Sequence, residues 1–131
     1  MGVLSGKAKG AADRMTEEHA IQNRIRAAVS PQCAIFRTNS GDFWQGDRVY
    51  CAEYGQFVLI NLRKVDGLPK GFADLSGVRK SDGRAVYIEV KTASGRVSKD
   101  QKKFLAKMRE YGAIAGVARS EEEAVKLIEE G

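Results

Sequence analysis

The chain has 131 residues, 43% of them hydrophobic and 30% charged, which suits one globular domain with its own core. It has no run of about eighteen apolar residues, so no membrane span is expected, and one histidine with two cysteines argues against a zinc site or a disulfide framework. The net charge of +5 favours polyanionic partners.

Residues 1–14 are rich in glycine and small side chains and lack the apolar stretch of a signal peptide. We predict a flexible N-terminal leader there, followed by a single domain over residues 15–131. Because no export signal is present, we expect Cys33 and Cys51 to be reduced thiols in a cytoplasmic protein.

A first helix is predicted from Glu17 to about Val29, with Thr16 as its N-cap. Ile21 and Ile25 belong to an apolar stripe at helical spacing. Glu18 lies along the same side, and an acid on a buried face needs a reason. Either it serves a functional site, or it is a first-turn acid that interacts with the helix dipole.

The middle of the chain is harder to interpret. Residues Ala34–Thr38 predict a strand, whereas Phe43–Gly71 predicts mainly loops with one further strand at Gln56–Asn61. Trp44 and Tyr54 lie in this segment. They can stack on an unpaired base, but a core or dimer contact is the better interpretation.

A predicted hairpin brings two acids and a lysine together. Ala85–Lys91 and Phe72–Val78 form its strands, because the residues between them include Asp-Gly, a strong turn signal. Since successive side chains alternate between faces, Glu89 and Lys91 share one side, and folding places Asp74 roughly opposite them. Paired carboxylates suit Mg²⁺ or Mn²⁺. The alternative interpretation is that Glu89 and Lys91 lie on the solvent-exposed face of an amphipathic strand and form an ion pair there.

The last elements are a helix, a strand and a helix. Ser98 and Gln101 form a capping box for a helix from Lys99 to about Tyr111. Capping alone explains Gln101, although its side chain can also extend back toward the acids. Ala113–Ala118 predicts a buried strand, and a second capping box at Ser120–Glu123 opens a helix through about Glu130. This order favours an α/β fold with a mixed central β-sheet flanked by helices.

The helix after Ser98 is strongly basic. Its cationic side chains either form a solvated face or contact phosphates beside the acidic site. They are Lys99, Lys102, Lys103, Lys107 and Arg109.

The ordered motifs resemble the VRR-NUC (virus-type replication-repair nuclease) family of the PD-(D/E)xK nuclease superfamily. Asp74 and Glu89 match its acidic pair and Lys91 its lysine, while Ala73 stands where the motif has proline. The resemblance covers about Glu17 to Arg119. The other matching segments are Glu18–Gln22, Phe36–Asn39, Gly71–Asp74, Ile88–Thr92, Gly95–Ser98 and Gln101.

The resemblance implies a restriction-endonuclease-like αβββαβ core and an Mg²⁺- or Mn²⁺-dependent deoxyribonuclease. Asp74, Glu89 and the Val90 backbone carbonyl would hold the metal, and Glu18 would act through water or a second ion. The implied catalytic residues are Glu18, Asp74, Glu89, Lys91 and Gln101. The expected DNA-binding residues are Arg37, Asn39, Lys70, Ser98, Lys99, Lys103 and Lys107.

Stand-alone members of the family resemble junction resolvases, which act as dimers. We therefore expect a homodimer that cuts branched or four-way-junction DNA, with a contact in Phe43–Lys70, in DNA repair in a bacterium or phage. Two alternatives remain. One is a non-catalytic nucleic-acid-binding module on the same fold, and the other is a structural α/β protein whose acids balance its lysines.

Overall fold

The computed structural model describes residues 9–39 and 42–131, with side chains from Glu17 onward. Most of the predicted leader lies outside the described residues, so it stays a prediction. The elements in chain order are α1 (Lys9–Val29), β1 (Cys33–Arg37), β2 (Asp42–Cys51), β3 (Gln56–Asp66), β4 (Leu75–Arg79), β5 (Ala85–Val90), α2 (Lys99–Glu110), β6 (Ile114–Ala118) and α3 (Glu121–Glu130).

Four of the strands form a mixed sheet in the order β1-β4-β5-β6. Strand β4 pairs antiparallel with both β1 and β5, whereas β5 and β6 run parallel. Leaving out β2 and β3, the chain order up to β6 is helix, three strands, helix and strand. The predicted fold class, a mixed central sheet flanked by helices, is confirmed.

The sheet has a helical layer on each face. On one face α1 and α3 pack over buried side chains that include Ile25, Ile88 and Ile128. On the other face, Leu105 of α2 packs with Ala73 and Ala115. Complete burial of one isoleucine or leucine contributes about 1.5–3 kcal/mol to folding, so both layers fix the position of β5 between them.

Helix α1 begins at Lys9, and the predicted start at Glu17 is wrong. Thr16 therefore lies inside the helix and is not its N-cap. The reason lies in the preceding residues, which include Ala11 and Ala12, and alanine is the strongest helix former. Since Glu18 is more than two turns from the start, the helix dipole does not explain it.

The segment after β1 forms a long two-stranded arm, here defined as Asp42–Asp66, where mainly loops were predicted. The strand predicted at Gln56–Asn61 is confirmed as the first part of β3, whereas β2 was not predicted. Strands β2 and β3 pair over most of their length, with a bulge between Gln45 and Asp47. Asn61, one of the two β3 residues that lie opposite Gly46 at this bulge, has a positive φ of 54°. Large apolar side chains stay exposed on the arm, including Trp44, Tyr50, Tyr54, Phe57, Ile60 and Leu62.

The C-terminal helix, strand and helix agree closely with the sequence-based prediction, with one difference. Ser98 and Gln101 form the complete capping box of α2, and Gly112 ends that helix with a φ of 97°. The second box is only half formed. The Ser120 hydroxyl accepts from the Glu123 N–H, but the Glu123 carboxylate bonds the Arg119 N–H instead. Across the described residues, no helix is both long and apolar enough to cross a membrane.

Candidate active site

The hairpin of β4 and β5 brings the two predicted acids together. Leu75 pairs with Ile88, so Asp74 lies opposite Glu89. The Asp74 Oδ2 atom accepts a hydrogen bond of 2.9 Å from the Val90 N–H. Thr38 holds the backbone of Asp74 as well, because its N–H donates to the Asp74 carbonyl at 2.8 Å. One carboxylate is thus fixed against the backbone of the strand that carries the other.

Glu89 is buried to an unusual degree for an acid. Its side chain is 1% exposed. The Oε1 atom accepts from Gln101 Nε2 at 2.8 Å and lies 3.7 Å from Lys91 Nζ. The Oε2 atom is buried without a hydrogen-bond partner in the described structure. A buried polar atom without a partner is costly, so this oxygen is available to a proton or a cation.

The charge of Asp74 acts on both of the other acids. The pKa of Glu89 is raised to about 8, mainly because burial disfavours its charged form and further because of the nearby charge of Asp74, while Lys91 opposes the shift. Burial also raises the pKa of Glu18, with Asp74 adding to the shift and Lys91 again opposing it. Glu18 therefore belongs to the same electrostatic environment as the hairpin acids.

The donor set fits a hard divalent cation. Asp74 and Glu89 supply carboxylate oxygens, and the unpartnered Oε2 of Glu89 is of the type that Mg²⁺ and Mn²⁺ prefer. Within residues 17–39 and 42–131, no three His, Cys, Asp or Glu side chains form a cluster able to hold an ion by themselves. A cation here would therefore need other oxygen donors, such as a backbone carbonyl or water.

Lys91 is positioned by contacts that the sequence did not reveal. Its N–H donates to the Ala118 carbonyl at 3.1 Å. Just beyond it, Arg119 Nη1 donates to the carbonyls of Thr92 and Gly95, both at 2.6 Å. Arg119 follows β6, which lies beside β5 only in the folded chain, so a local motif does not indicate its role.

The predicted DNA-binding residues fall into two groups. Arg37 and Asn39 line a cleft of about 360 Å³ together with Glu18 and Asp74. The others lie on or beside α2, away from this cleft. These are Lys70, Ser98, Lys99, Lys103 and Lys107.

Several residues of the α2 group have intramolecular partners. Lys70 lies 3.6 Å from Asp100, and Lys107 lies 3.5 Å from Glu110. Lys99 and Lys103 are exposed on the helix face opposite the packed Leu105. A basic surface therefore begins at the end of the helix that also presents Gln101 to Glu89.

The burial of Glu89 predicts a pH-dependent stability. An acid whose pKa rises from 4.5 to about 8 on folding stabilises the fold fully below pH 4.5, and this stabilisation is lost as pH rises through 8. In a chelator, the free energy of unfolding should fall by roughly 3 kcal/mol between about pH 5 and 8. Denaturant titrations should show this fall in the unaltered chain and a smaller one in Glu89→Gln, where the raised pKa of Glu18 remains.

The exposed Glu53 offers a matched control for this prediction. Glu53→Gln should keep the full pH dependence of the unaltered chain. A Glu89→Gln variant whose stability still falls by the same amount would show that another group is responsible.

Comparison with known proteins agrees with this geometry. A comparison with curated proteins gave no significant match. The family model described as the VRR-NUC domain matches residues 16–122, a range that includes every predicted site residue. We conclude that the chain belongs to the VRR-NUC domain family, a nuclease-type family whose partner is DNA.

Proposed function

We propose that this chain is an Mg²⁺- or Mn²⁺-dependent DNA endonuclease that hydrolyses phosphodiester bonds. The observation that carries the proposal is the buried Glu89, whose Oε2 has no partner in the described structure and which lies beside Asp74. A protein retains such a costly arrangement where it performs chemistry. Free Cys33 and Cys51 support a cytoplasmic setting, in a bacterium or in a phage-infected cell.

The residues divide the chemistry among them. Asp74, Glu89 and the Val90 carbonyl would hold the cation, which when bound polarises the phosphate and lowers the pKa of water. Gln101 fixes the direction of the Glu89 carboxylate through its 2.8 Å hydrogen bond. Glu18, whose pKa is raised in part by the charge of Asp74, would act through water or a second ion.

Lys91 would act on the reacting phosphate. Its side chain is 16% exposed and its Nζ atom lies 3.7 Å from Glu89 Oε1. The ammonium can therefore orient the attacking water or offset the negative charge that develops on the phosphate. The family resemblance implies cleavage that leaves a 5′-phosphate and a 3′-hydroxyl.

The exposed lysines of α2 would bind the DNA backbone outside the site. Replacing Lys99, Lys103 and Lys107 together by alanine should weaken DNA binding and reduce its salt dependence by about one unit of slope per lost phosphate contact. Fluorescence anisotropy over a range of salt concentrations measures both quantities.

The control should change the net charge equally at another surface. Arg24, Lys80 and Lys126 serve this purpose, because they are exposed and lie away from α2. Their joint replacement by alanine should leave the slope of log binding constant against log salt concentration within about one unit of the original. An unchanged slope in the α2 triple variant would mean that this helix faces away from DNA.

The arm supports a homodimer as part of the proposal. Its two strands form a separate sheet, and Trp44, Tyr50 and Phe57 are each more than half exposed. Exposed apolar patches of this kind mark interaction sites. A second copy would cover them and, by two-fold symmetry, present two active sites to two strands. Branched DNA is then the preferred substrate.

One experiment tests activity, metal dependence and substrate together. Labelled linear duplex, flap, single-stranded and four-way-junction DNA would be incubated with Mg²⁺, Mn²⁺ or a chelator, beside sedimentation of the free protein. We expect metal-dependent cutting, a dimer, and faster cutting of branched DNA. Tyr50→Ser with Phe57→Ser, which removes an edge-to-face pair at 5.5 Å, should yield monomers that no longer prefer four-way junctions to linear duplex.

Different failures identify different errors. Binding without cleavage in either metal would favour the non-catalytic module. A monomer that cuts linear and branched DNA equally would leave a general nuclease and remove the dimer from the proposal.

A further inference from the structure

The cleft beside Asp74 has a lining that the proposed hydrolysis does not use. Phe43, at the start of the arm, contributes an aromatic ring that is 37% exposed. Gln22 from α1 and Asn39 after β1 contribute amide groups. Each amide can both donate and accept hydrogen bonds, which is what the edge of a nucleobase requires.

Arg37 gives the same cleft a fixed positive charge. Its Nη2 atom donates to Asn23 Oδ1 at 2.8 Å and lies 3.3 Å from His19 Nε2. Because a guanidinium can only donate, the histidine nitrogen must accept, so both contacts hold the arginine in place. Its Nε is buried and lacks a hydrogen-bond partner in residues 17–39 and 42–131. No carboxylate in those residues forms an ion pair with it.

The size of the cleft is compatible with one nucleotide. A volume of about 360 Å³ is near the lower end for small-molecule sites. An aromatic ring, two amides and one cation correspond to the ring face, the edge and the phosphate of such a nucleotide. Asp74, in the same lining, places the occupant beside the metal-binding pair.

We propose that this cleft receives a single unpaired nucleotide next to the phosphodiester to be cut. The base stacks on Phe43, its edge bonds Gln22 and Asn39, and Arg37 contacts its phosphate. The inference rests on the proposed nuclease function and adds a specificity that the metal site alone does not provide. An unpaired nucleotide, present at flaps, gaps and branch points, would then be recognised directly.

The test measures binding in a chelator, so that it does not depend on cleavage. Two DNAs of equal length would carry 2-aminopurine at one position, which is unpaired in a one-nucleotide flap and paired in the control duplex. The unaltered chain should bind the flap more tightly and quench its fluorescence. Phe43→Ala should weaken flap binding about tenfold, the scale of one stacked base, and leave duplex binding unchanged.

Three variants separate stacking from packing. Phe43→Tyr keeps the ring and should retain the flap preference, whereas Phe43→Leu keeps an apolar side chain and should lose it. Phe36→Ala is the matched control, because Phe36 is 64% exposed and lines a different cavity. It should behave as the unaltered chain.

Two results would overturn the inference. Equal affinity of the unaltered chain for flap and duplex overturns the inference, and so does a Phe43→Ala variant that weakens both equally. Cleavage with Mg²⁺ or Mn²⁺ is assayed separately. A chain that shows the flap preference but cuts nothing would refute the nuclease proposal and keep the nucleotide site.

Discussion

Asp74→Asn and Glu89→Gln should each abolish DNA cleavage in Mg²⁺ or Mn²⁺ while leaving DNA binding intact. Either change removes one of two carboxylates that would hold the cation, and a neutral amide is a poor substitute for it. Binding should persist in both variants, and it should tighten in Asp74→Asn, which has one negative charge fewer to repel phosphate. Single-turnover cleavage and anisotropy, measured on one DNA, report the two effects separately.

The isosteric variants are preferable to alanine for a structural reason. Asp74→Ala would leave the Val90 N–H without its 2.9 Å acceptor, at a cost of roughly 1–3 kcal/mol. Asp74→Asn keeps an oxygen there, and Glu89→Gln keeps an acceptor for Gln101. Asp74→Ala and Glu89→Ala should also be inactive. Cutting at the unaltered rate by any of the four would show that the metal ligands lie elsewhere.

Lys91→Ala should lower the single-turnover rate by on the order of a hundredfold or more, the scale of one preorganised charge at a transition state. Metal affinity should change little, because two effects oppose each other. The ammonium repels a cation, but it also lowers the pKa of Glu89 and so favours the form that binds one. Rates measured over a range of Mg²⁺ concentrations separate affinity from turnover.

Two further variants sharpen the Lys91 result. Lys91→Arg should rescue only part of the rate, since a planar guanidinium does not replace the compact ammonium of a side chain that is only 16% exposed. Lys126→Ala removes an exposed lysine on α3, across the sheet, and should have no effect. Unchanged turnover in Lys91→Ala would make Lys91 an ordinary structural lysine.

The hairpin with the acids was predictable because local signals agree there. The Asp82–Gly83 turn fixes the pairing, and Gly83 takes the positive φ of 72° that such turns need. Alternation along β5 then places Val86 and Ile88 in the core, and Glu89 on the opposite face. Turn type, strand composition and alternation all specify one register, so the position of Asp74 follows from the sequence.

Only one strand of the arm was predictable from its pattern, because Gln56–Asn61 was predicted and lies within β3. A strand is recognised when one face is buried, because polar and apolar residues then alternate. Neither face of the arm is covered in the described structure, and Gly46 and Asn61 interrupt its register at the bulge. Its apolar residues therefore follow no period of two over the length of the arm, and β2 is revealed only by its pairing with β3.

Burial at the site is likewise a property of the tertiary structure. The sequence places Glu89 opposite the core residues of β5 but cannot show that α2 covers it to 1% exposure. Nor can it show that the loop after Lys91 is held by Arg119, which is distant in sequence. The acid–lysine pair is visible locally, whereas the strength of its electrostatic coupling depends on the assembled layers.

Gln101 shows how two requirements on one position select a single residue type. The third position of a capping box accepts glutamate as readily as glutamine, because only a side-chain oxygen is needed to bond the Ser98 N–H at 2.8 Å. The second contact, a donor to Glu89 Oε1, requires an N–H that glutamate lacks. The helix alone would tolerate either residue, and the neighbouring carboxylate removes that freedom. Gln101→Glu would preserve the start of α2 yet place a further carboxylate against Glu89.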